Sequence, residues 1–148
     1  MALREIRKMG DEILRKKSRK VDIVDERIKM LLDDMVDTMH ANVGAGLAAV
    51  QVGVIKRLIV IDIEDEHGVL KIVNPEIMET FGTDIKTEGC LSVPGINGDV
   101  IRPKKLVLIG LNENGEKIRI EAQDLLARAI CHEVDHLDGI LFVDKIEE

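Results

Sequence analysis

The sequence predicts an α+β fold, with mixed and antiparallel strands packed around a C-terminal helix that carries an HExxH motif. Three observations predict it. Strand-like and helical stretches are segregated along the chain rather than alternating β-α-β. Two strand-like runs flank the turn Asn112-Glu113-Asn114-Gly115, a hairpin signal. The last long stretch, Gln123 to Asp138, reads as a helix, and Gly139 follows where a helix-ending glycine belongs.

Taken in order, residues 11–17 read as a short helix. Asp25 to His40 reads as a longer one, because Ile28, Leu31, Leu32, Met35, Val36 and Met39 form the i, i+3, i+4, i+7, i+8 stripe of a helix with one buried face. Gly44 to Gly53 is rich in glycine and alanine and has no core periodicity. Leu58 to Ile63 is a β-branched, strand-like run, and Gly68 separates it from a second, Val69 to Val73, which Asn74-Pro75 ends as a turn. Gly82 to Gly98 is polar and glycine-broken around Cys90. Val100 to Leu111 and Ile118 to Ala122 read as the strands of the hairpin. There is no repeat, linker or low-complexity tract, so residues 1–148 are expected to form a single catalytic domain.

Composition narrows the function. The chain has 21 Lys+Arg against 28 Asp+Glu, a formal net charge of −7, which argues against a general nucleic-acid binder. The charge is uneven, since residues 1–20 hold eight basic and three acidic side chains. With two Phe and no Trp or Tyr, base-stacking platforms are effectively excluded. No run approaches the ~20 apolar residues of a membrane span, and the N-terminus is charged from Arg4 with no apolar signal core. A cytoplasmic protein is the expectation. The two cysteines, Cys90 and Cys131, are then expected as a ligand, a nucleophile or packing rather than as a disulfide.

The strongest chemical signal is His132-Glu133-Val134-Asp135-His136. On a helix, positions i and i+4 share a face, so both imidazoles can reach one metal ion. Glu133, one residue along, is rotated off that face, where it can act on a metal-bound water as a general base without being a ligand. The plain alternative is a solvated face of two His, a Glu and an Asp. Downstream candidates for a third ligand are Asp138, Asp144, Glu147 and Glu148, all close to the helix end or the last residue, so an upstream donor is expected. His40 and His67 read as surface histidines, which leaves Cys90 as the soft donor. Cys131 adjoins His132, is rotated ~100° from the His132/His136 face, and reads as a packed cysteine. A Cys/His/His set with an open fourth position is a catalytic rather than a structural arrangement. Gly44-Ala45-Gly46-Leu47-Ala48-Ala49 fits GxGxxA, but a helix precedes it and a strand follows, the reverse of a dinucleotide site. It reads better as backbone approaching a ligand, with Gln51 offering an oxyanion donor.

At three stretches the sequence resembles the peptide deformylase family: Gly44 to Gln51, Glu88-Gly89-Cys90-Leu91-Ser92, and His132 to Gly139, in that order along nearly the whole chain. The resemblance implies that Cys90, His132 and His136 hold one divalent metal, Fe²⁺ in cells with Zn²⁺, Ni²⁺ or Co²⁺ also able to occupy the site. It implies Glu133 as general acid/base, Gln51 and the Leu91 N–H as oxyanion donors, and Ala45 and Gly46 as holders of the substrate backbone. Leu125 and Ala129 would form walls of a side-chain pocket with Arg128 near its rim, and Glu88 and Arg102 a supporting ion pair.

The implied reaction is hydrolysis of the N-formyl group from the initiator methionine of new polypeptides, releasing formate. The implied partners are N-formylmethionyl peptides and the ribosome surface, with no specific nucleic-acid sequence and no membrane, for a monomer. Three positions depart from the family pattern. Val50 stands where Pro is frequent, Asn97 where some members carry a substrate-binding Arg, and the chain reaches Glu148 without the longer C-terminal helix of some members. Two alternatives stay open at this point: an HExxH metallopeptidase with an upstream Cys ligand, and a metal-binding relative without enzymatic activity.

Overall fold

The computed structural model describes residues 2–147. The first helical turn is a short 3-10 segment, Glu12–Arg15, rather than a helix over 11–17; Asp11 caps it, accepting from the Ile13 N–H. Helix α1 spans Glu26–Ala41, with Asp25 as N-cap accepting from the Ile28 N–H. Five of the six stripe residues are buried, Leu32, Met35 and Met39 fully so, and Val36 is half-buried; each fully buried side chain contributes ~1.5–3 kcal/mol.

A five-stranded antiparallel sheet has the order β1-β2-β3-β6-β7, formed by β1 (Gly46–Ala48), β2 (Leu58–Ile61), β3 (Leu70–Phe81), β6 (Lys105–Leu111) and β7 (Lys117–Gln123). A separate two-stranded sheet pairs β4 (Asp84–Cys90) with β5 (Val93–Arg102). Helix α2, Asp124–Leu137, follows β7. The ladders are antiparallel, and one isolated parallel bridge joins Arg19 and Lys56.

The sheet lies between the two helices, which explains the apolar run Leu58–Ile61. Leu58 and Val60 pack on the α1 side with Leu47, whereas Ile59 and Ile61 pack on the α2 side with Ala48. Successive side chains of a strand point to opposite faces, so Gly46, two residues before Ala48, also faces α2. That alternation delivers the glycine segment to the helix bearing the HExxH motif.

Three expectations on the strands are corrected. Asn74-Pro75 does not end the second strand; β3 runs on to Phe81, with Asn74 at φ 53° and a register shift between Val73 and Glu76 that accommodates the proline. Val100 to Leu111 is not one strand but the end of β5 and all of β6, parted at Pro103, which has no N–H to donate to a ladder. The polar segment Gly82 to Gly98 is the β4–β5 hairpin. No helix among the described residues is long and apolar enough to cross a membrane.

Candidate metal centre

Two periodicities cross at the site. On α2, Arg128, His132 and His136 lie four residues apart and so share one face, while on β4 Glu88 and Cys90 lie two apart and share one side of the strand. Where the face meets the strand, Cys90 Sγ is 3.3 Å from His136 Nε2, and His136 Nε2 is 3.3 Å from His132 Nε2. All three donor atoms fall within 4.8 Å of one another. A tetrahedral centre with M–N near 2.0–2.1 Å and M–S near 2.3 Å separates its donors by about 3.3–3.6 Å. Two of the three spacings already match such a centre, so the set fits a divalent cation.

The chain orients these donors. Glu88 is buried and both its oxygens accept: Oε1 from Arg102 Nη2 at 2.9 Å and from His132 Nδ1 at 2.9 Å, and Oε2 from Arg102 Nε at 2.8 Å and Arg128 Nη1 at 2.6 Å. An ionised carboxylate only accepts, so His132 carries its proton on Nδ1 and turns the Nε2 lone pair toward Cys90 and His136. Burial pushes Glu88 up, but the hydrogen bonds from Arg102 and His132 outweigh it and hold the carboxyl well below the usual range. Arg102, 2% exposed, also donates to Asp135 Oδ2 at 2.6 Å. Phe142 stacks on His132 with ring centroids 6.0 Å apart. His136 Nδ1 is buried with no hydrogen-bond partner.

The two rings are pushed in opposite directions. Burial opposes charging of His132, yet the Glu133 charge and hydrogen bonds to Cys90 and Glu88 push its pKa up to about 10. Burial, and then the charge on His132, keep His136 well below its ordinary value.

Glu133 is buried, and its Oε1 is without a hydrogen-bond partner. Burial pushes its pKa up to about 7, against the opposing charge of His132. A Cβ on Gly46 would stand 2.6 Å from Glu133 Oε2, so only glycine leaves the carboxylate its position. Gln51 is buried; its Oε1 accepts from the Ala48 N–H at 2.9 Å, and its Nε2 donates to Ser92 Oγ at 3.0 Å and faces Cys90 Sγ at 3.7 Å. Leu91 is the first residue of the turn between β4 and β5, so its N–H stands outside the ladder.

A cavity of about 410 Å³ opens beside these groups, and Ala45, Gly46, Leu125, Arg128 and Ala129 all line it. Leu125 and Val43 stand exposed in its lining. Arg128 differs from the expectation of a rim residue: it is 7% exposed and its guanidinium turns inward to Glu88. Size alone does not mark the site, because a larger groove of about 940 Å³ near Lys17, Arg57 and Arg119 contains none of the three donors.

The other candidates lie elsewhere. His40 Nε2 bonds Asp62 at 2.7 Å and His67 Nδ1 bonds Asp65 at 2.9 Å, both on the surface. Cys131 is packed in the core between α2 and the sheet, and burial pushes its thiol up to about 11. Asp138, Asp144 and Glu147 are outside the donor cluster, and Glu148 lies outside the described residues. Sequence reasoning missed Ser92, Asp135, Phe142 and Val43. Ser92 and Asp135 sat inside the quoted motifs, and Phe142 is one of only two Phe.

The chain is similar to known proteins along its whole length. The sequence model described as polypeptide deformylase matches residues 3–148. A peptide deformylase of Acetivibrio thermocellus is 60% identical over 146 residues, covering 99% of this chain and 85% of that protein. Peptide deformylase 1 of Clostridium acetobutylicum is 57% identical, covering 100% of this chain and 97% of that protein. Among solved structures, a peptide deformylase from Legionella pneumophila superimposes with a TM-score of 0.95 at 44% identity, covering 99% of this chain and 87% of that one. The Ehrlichia chaffeensis peptide deformylase in complex with actinonin gives 0.96 at 40% identity, over 100% of this chain and 91% of that one.

Proposed function

The chain belongs to the polypeptide deformylase family, and we propose that Cys90, His132 and His136 hold its one divalent cation while Glu133 moves the protons of the hydrolysis. The activity is that of a metal-dependent hydrolase removing the N-formyl group from the initiator methionine of new polypeptides, with release of formate. The observation that carries the residue assignment is the convergence of one sulfur and two ring nitrogens within 4.8 Å, beside a buried carboxylate with a partnerless oxygen.

When bound, the cation supplies Lewis acidity, lowering the pKa of a water toward neutrality and polarising the formyl carbonyl. Glu133 takes the proton of the attacking water and returns it to the departing nitrogen as the formyl C–N bond breaks, which yields formate and a free amine. A carboxyl held near pH 7 by burial can work in both directions. The Gln51 amide has two N–H groups. One is committed to Ser92, and the other, which has only the long contact to Cys90 Sγ, is free to donate to the developing oxyanion. The Leu91 N–H is the second donor; each such contact is worth ~3–4 kcal/mol in the transition state.

Ala45 and Gly46 hold the substrate backbone, and Leu125 and Ala129 form apolar walls for the methionine side chain, with Arg128 also lining the cavity. The native cation is Fe²⁺, with Zn²⁺, Ni²⁺ and Co²⁺ as substitutes. A ferrous thiolate is oxidisable, so the reading predicts iron-loaded activity that decays in air and persists without oxygen. Residues 1–148 act as one catalytic domain, a cytoplasmic monomer that meets N-formylmethionyl peptides at the ribosome surface.

Hydrolysis of formyl-Met-Ala-Ser tests the reading. Metal-loaded protein is expected to release formate and Met-Ala-Ser in equal amounts. No formate, or internal cleavage of unformylated peptides, would overturn it.

A further inference from the structure

We propose that Arg128 is a positioning residue of the metal centre: it clamps the helix carrying both imidazoles onto the hairpin carrying the sulfur, and it completes the hydrogen-bond shell of Glu88. The inference rests on the reading of Cys90, His132 and His136 as ligands.

The donors of that centre belong to two separate elements. His132 and His136 ride on α2, whereas Cys90 ends β4, in a two-stranded sheet distinct from the one against which α2 packs. Near Cys90 the hairpin ladder is irregular, since the pairs Glu88–Gly98 and Cys90–Val93 leave residues 94–97 out of register. The spacing of sulfur and nitrogen is therefore set by whatever ties β4 to α2. Arg128 ties α2 to the hairpin at three points, two on β4 and one on β5. Its Nη1 donates to Glu88 Oε2 at 2.6 Å and to the Val100 carbonyl at 2.9 Å, and its Nη2 donates to the Asp84 carbonyl at 2.9 Å. One guanidinium on α2 thus grips a side chain of β4 and the backbone of both hairpin strands.

The contact with Glu88 also bears on His132. A carboxylate accepts about four hydrogen bonds. The Arg102 fork takes one on each Glu88 oxygen, His132 takes the second on Oε1, and Arg128 takes the second on Oε2. Arg128 is thus the counterpart of His132 across the carboxylate, one helical turn away. With that place empty, Glu88 keeps the Arg102 fork but loses its tie to position 128 of α2, so fork, carboxylate and the ring it orients are less firmly seated on the helix. A wall of an apolar side-chain pocket needs no guanidinium at this position. Turning one inward, to 7% exposure, is accounted for by the three acceptors it serves.

Arg128→Lys tests the clamp, because it keeps the positive charge and removes the fork. The protein loaded with Co²⁺ or Zn²⁺ is expected to keep its far-UV circular dichroism and to release metal to a chelator ~10–100-fold faster, the range for loss of an outer-shell partner. The Co²⁺ electronic spectrum is expected to change, and kcat for formyl-Met-Ala-Ser to fall with KM little moved. Arg128→Gln, which keeps one donor toward Glu88 without the charge, carries the same expectations if the lysine variant does not fold. Unchanged metal release and Co²⁺ spectrum in a folded variant, or a change in KM alone, would overturn the proposal. So would failure of both variants to fold, which would make Arg128 a requirement of the fold rather than of the site. The release measurement needs no substrate, so a parent protein that fails to deformylate would count against the proposed function and leave this test standing.

Discussion

Gly46→Ala perturbs the placement of Glu133, the proposed general base, while leaving in place the backbone that is proposed to hold the substrate. The added Cβ would lie 2.6 Å from Glu133 Oε2 and 3.0 Å from both Cδ and Cγ. Unstrained carbon contacts sit near 3.5–4.0 Å, so the carboxylate must retreat by roughly 0.5–1 Å. It is free to do so, because Oε1 has no hydrogen bond to hold it. The backbone accepts the change, since Gly46 is not among the positive-φ glycines and pairs in register with Ile61. A misplacement of about 1 Å at a reacting group costs on the order of 10²-fold in rate, equivalent to about 2.7 kcal/mol in the barrier. Steady-state deformylation should therefore show kcat down ~100-fold, KM within a few-fold, one metal retained and a melting temperature nearly unchanged. Gly139→Ala is the control. Gly139 has φ 77°, and its Cβ would meet the Arg15 carbonyl oxygen at 2.5 Å, a backbone atom that cannot swing away. That variant should lose ~1–2 kcal/mol of stability and keep the kcat of its folded fraction. Unaltered kcat in Gly46→Ala, or a loss fully matched by unfolding, would refute the assignment of Glu133.

Glu133→Ala should bind one equivalent of metal as tightly as the parent yet lose ~10²–10⁴-fold in turnover, and a metal-loaded, active variant would contradict its role. With metal removed, a thiol reagent at neutral pH should modify one cysteine, the half-buried Cys90. Cys131, its thiol pushed up to about 11 by burial, should react only after unfolding; added Zn²⁺ should protect Cys90, and two fast thiols in the folded protein would count against the packing described. Asp144 is held below its ordinary 3.8 chiefly by the hydrogen bond from Arg15, against some burial. Its contribution is therefore present above that value and lost as pH falls through the lower folded one. Both side chains are over a third exposed, so the effect is discounted to about 0.5 kcal/mol; denaturant melts of Asp144→Asn between pH 2 and 6 should show that increment disappear.

Much of the candidate site is legible in the sequence, because its parts are spaced by the two simplest backbone periods. His132 and His136 are one turn apart on a helix whose end is marked by Gly139, and Cys90 sits inside a short motif of its own. Helix α1 was equally plain from its stripe, and β2 from an unbroken apolar run that the structure buries on both faces. The β4–β5 hairpin was not readable as strands. Its inward positions on β4 carry Asp84, Glu88 and Cys90 while Ile85 and Ile101 are exposed, so the usual apolar-in alternation is missing, and Gly89, Gly95 and Gly98 interrupt what pattern there is. Pro103 parts β5 from β6 inside a β-branched run, and Asn74-Pro75 sits in a register shift rather than a turn. The inward turn of Arg128 depends on the Asp84 and Val100 carbonyls, which come from other elements and leave no mark near position 128.

The most direct test of the central claim, that one thiolate and two imidazoles share a single cation, is X-ray absorption at the metal edge of the loaded protein in solution. The account predicts one sulfur at ~2.3 Å and two imidazole nitrogens at ~2.0–2.1 Å, with the sulfur lost in Cys90→Ser. A first shell of nitrogen and oxygen alone in the unsubstituted protein would contradict it.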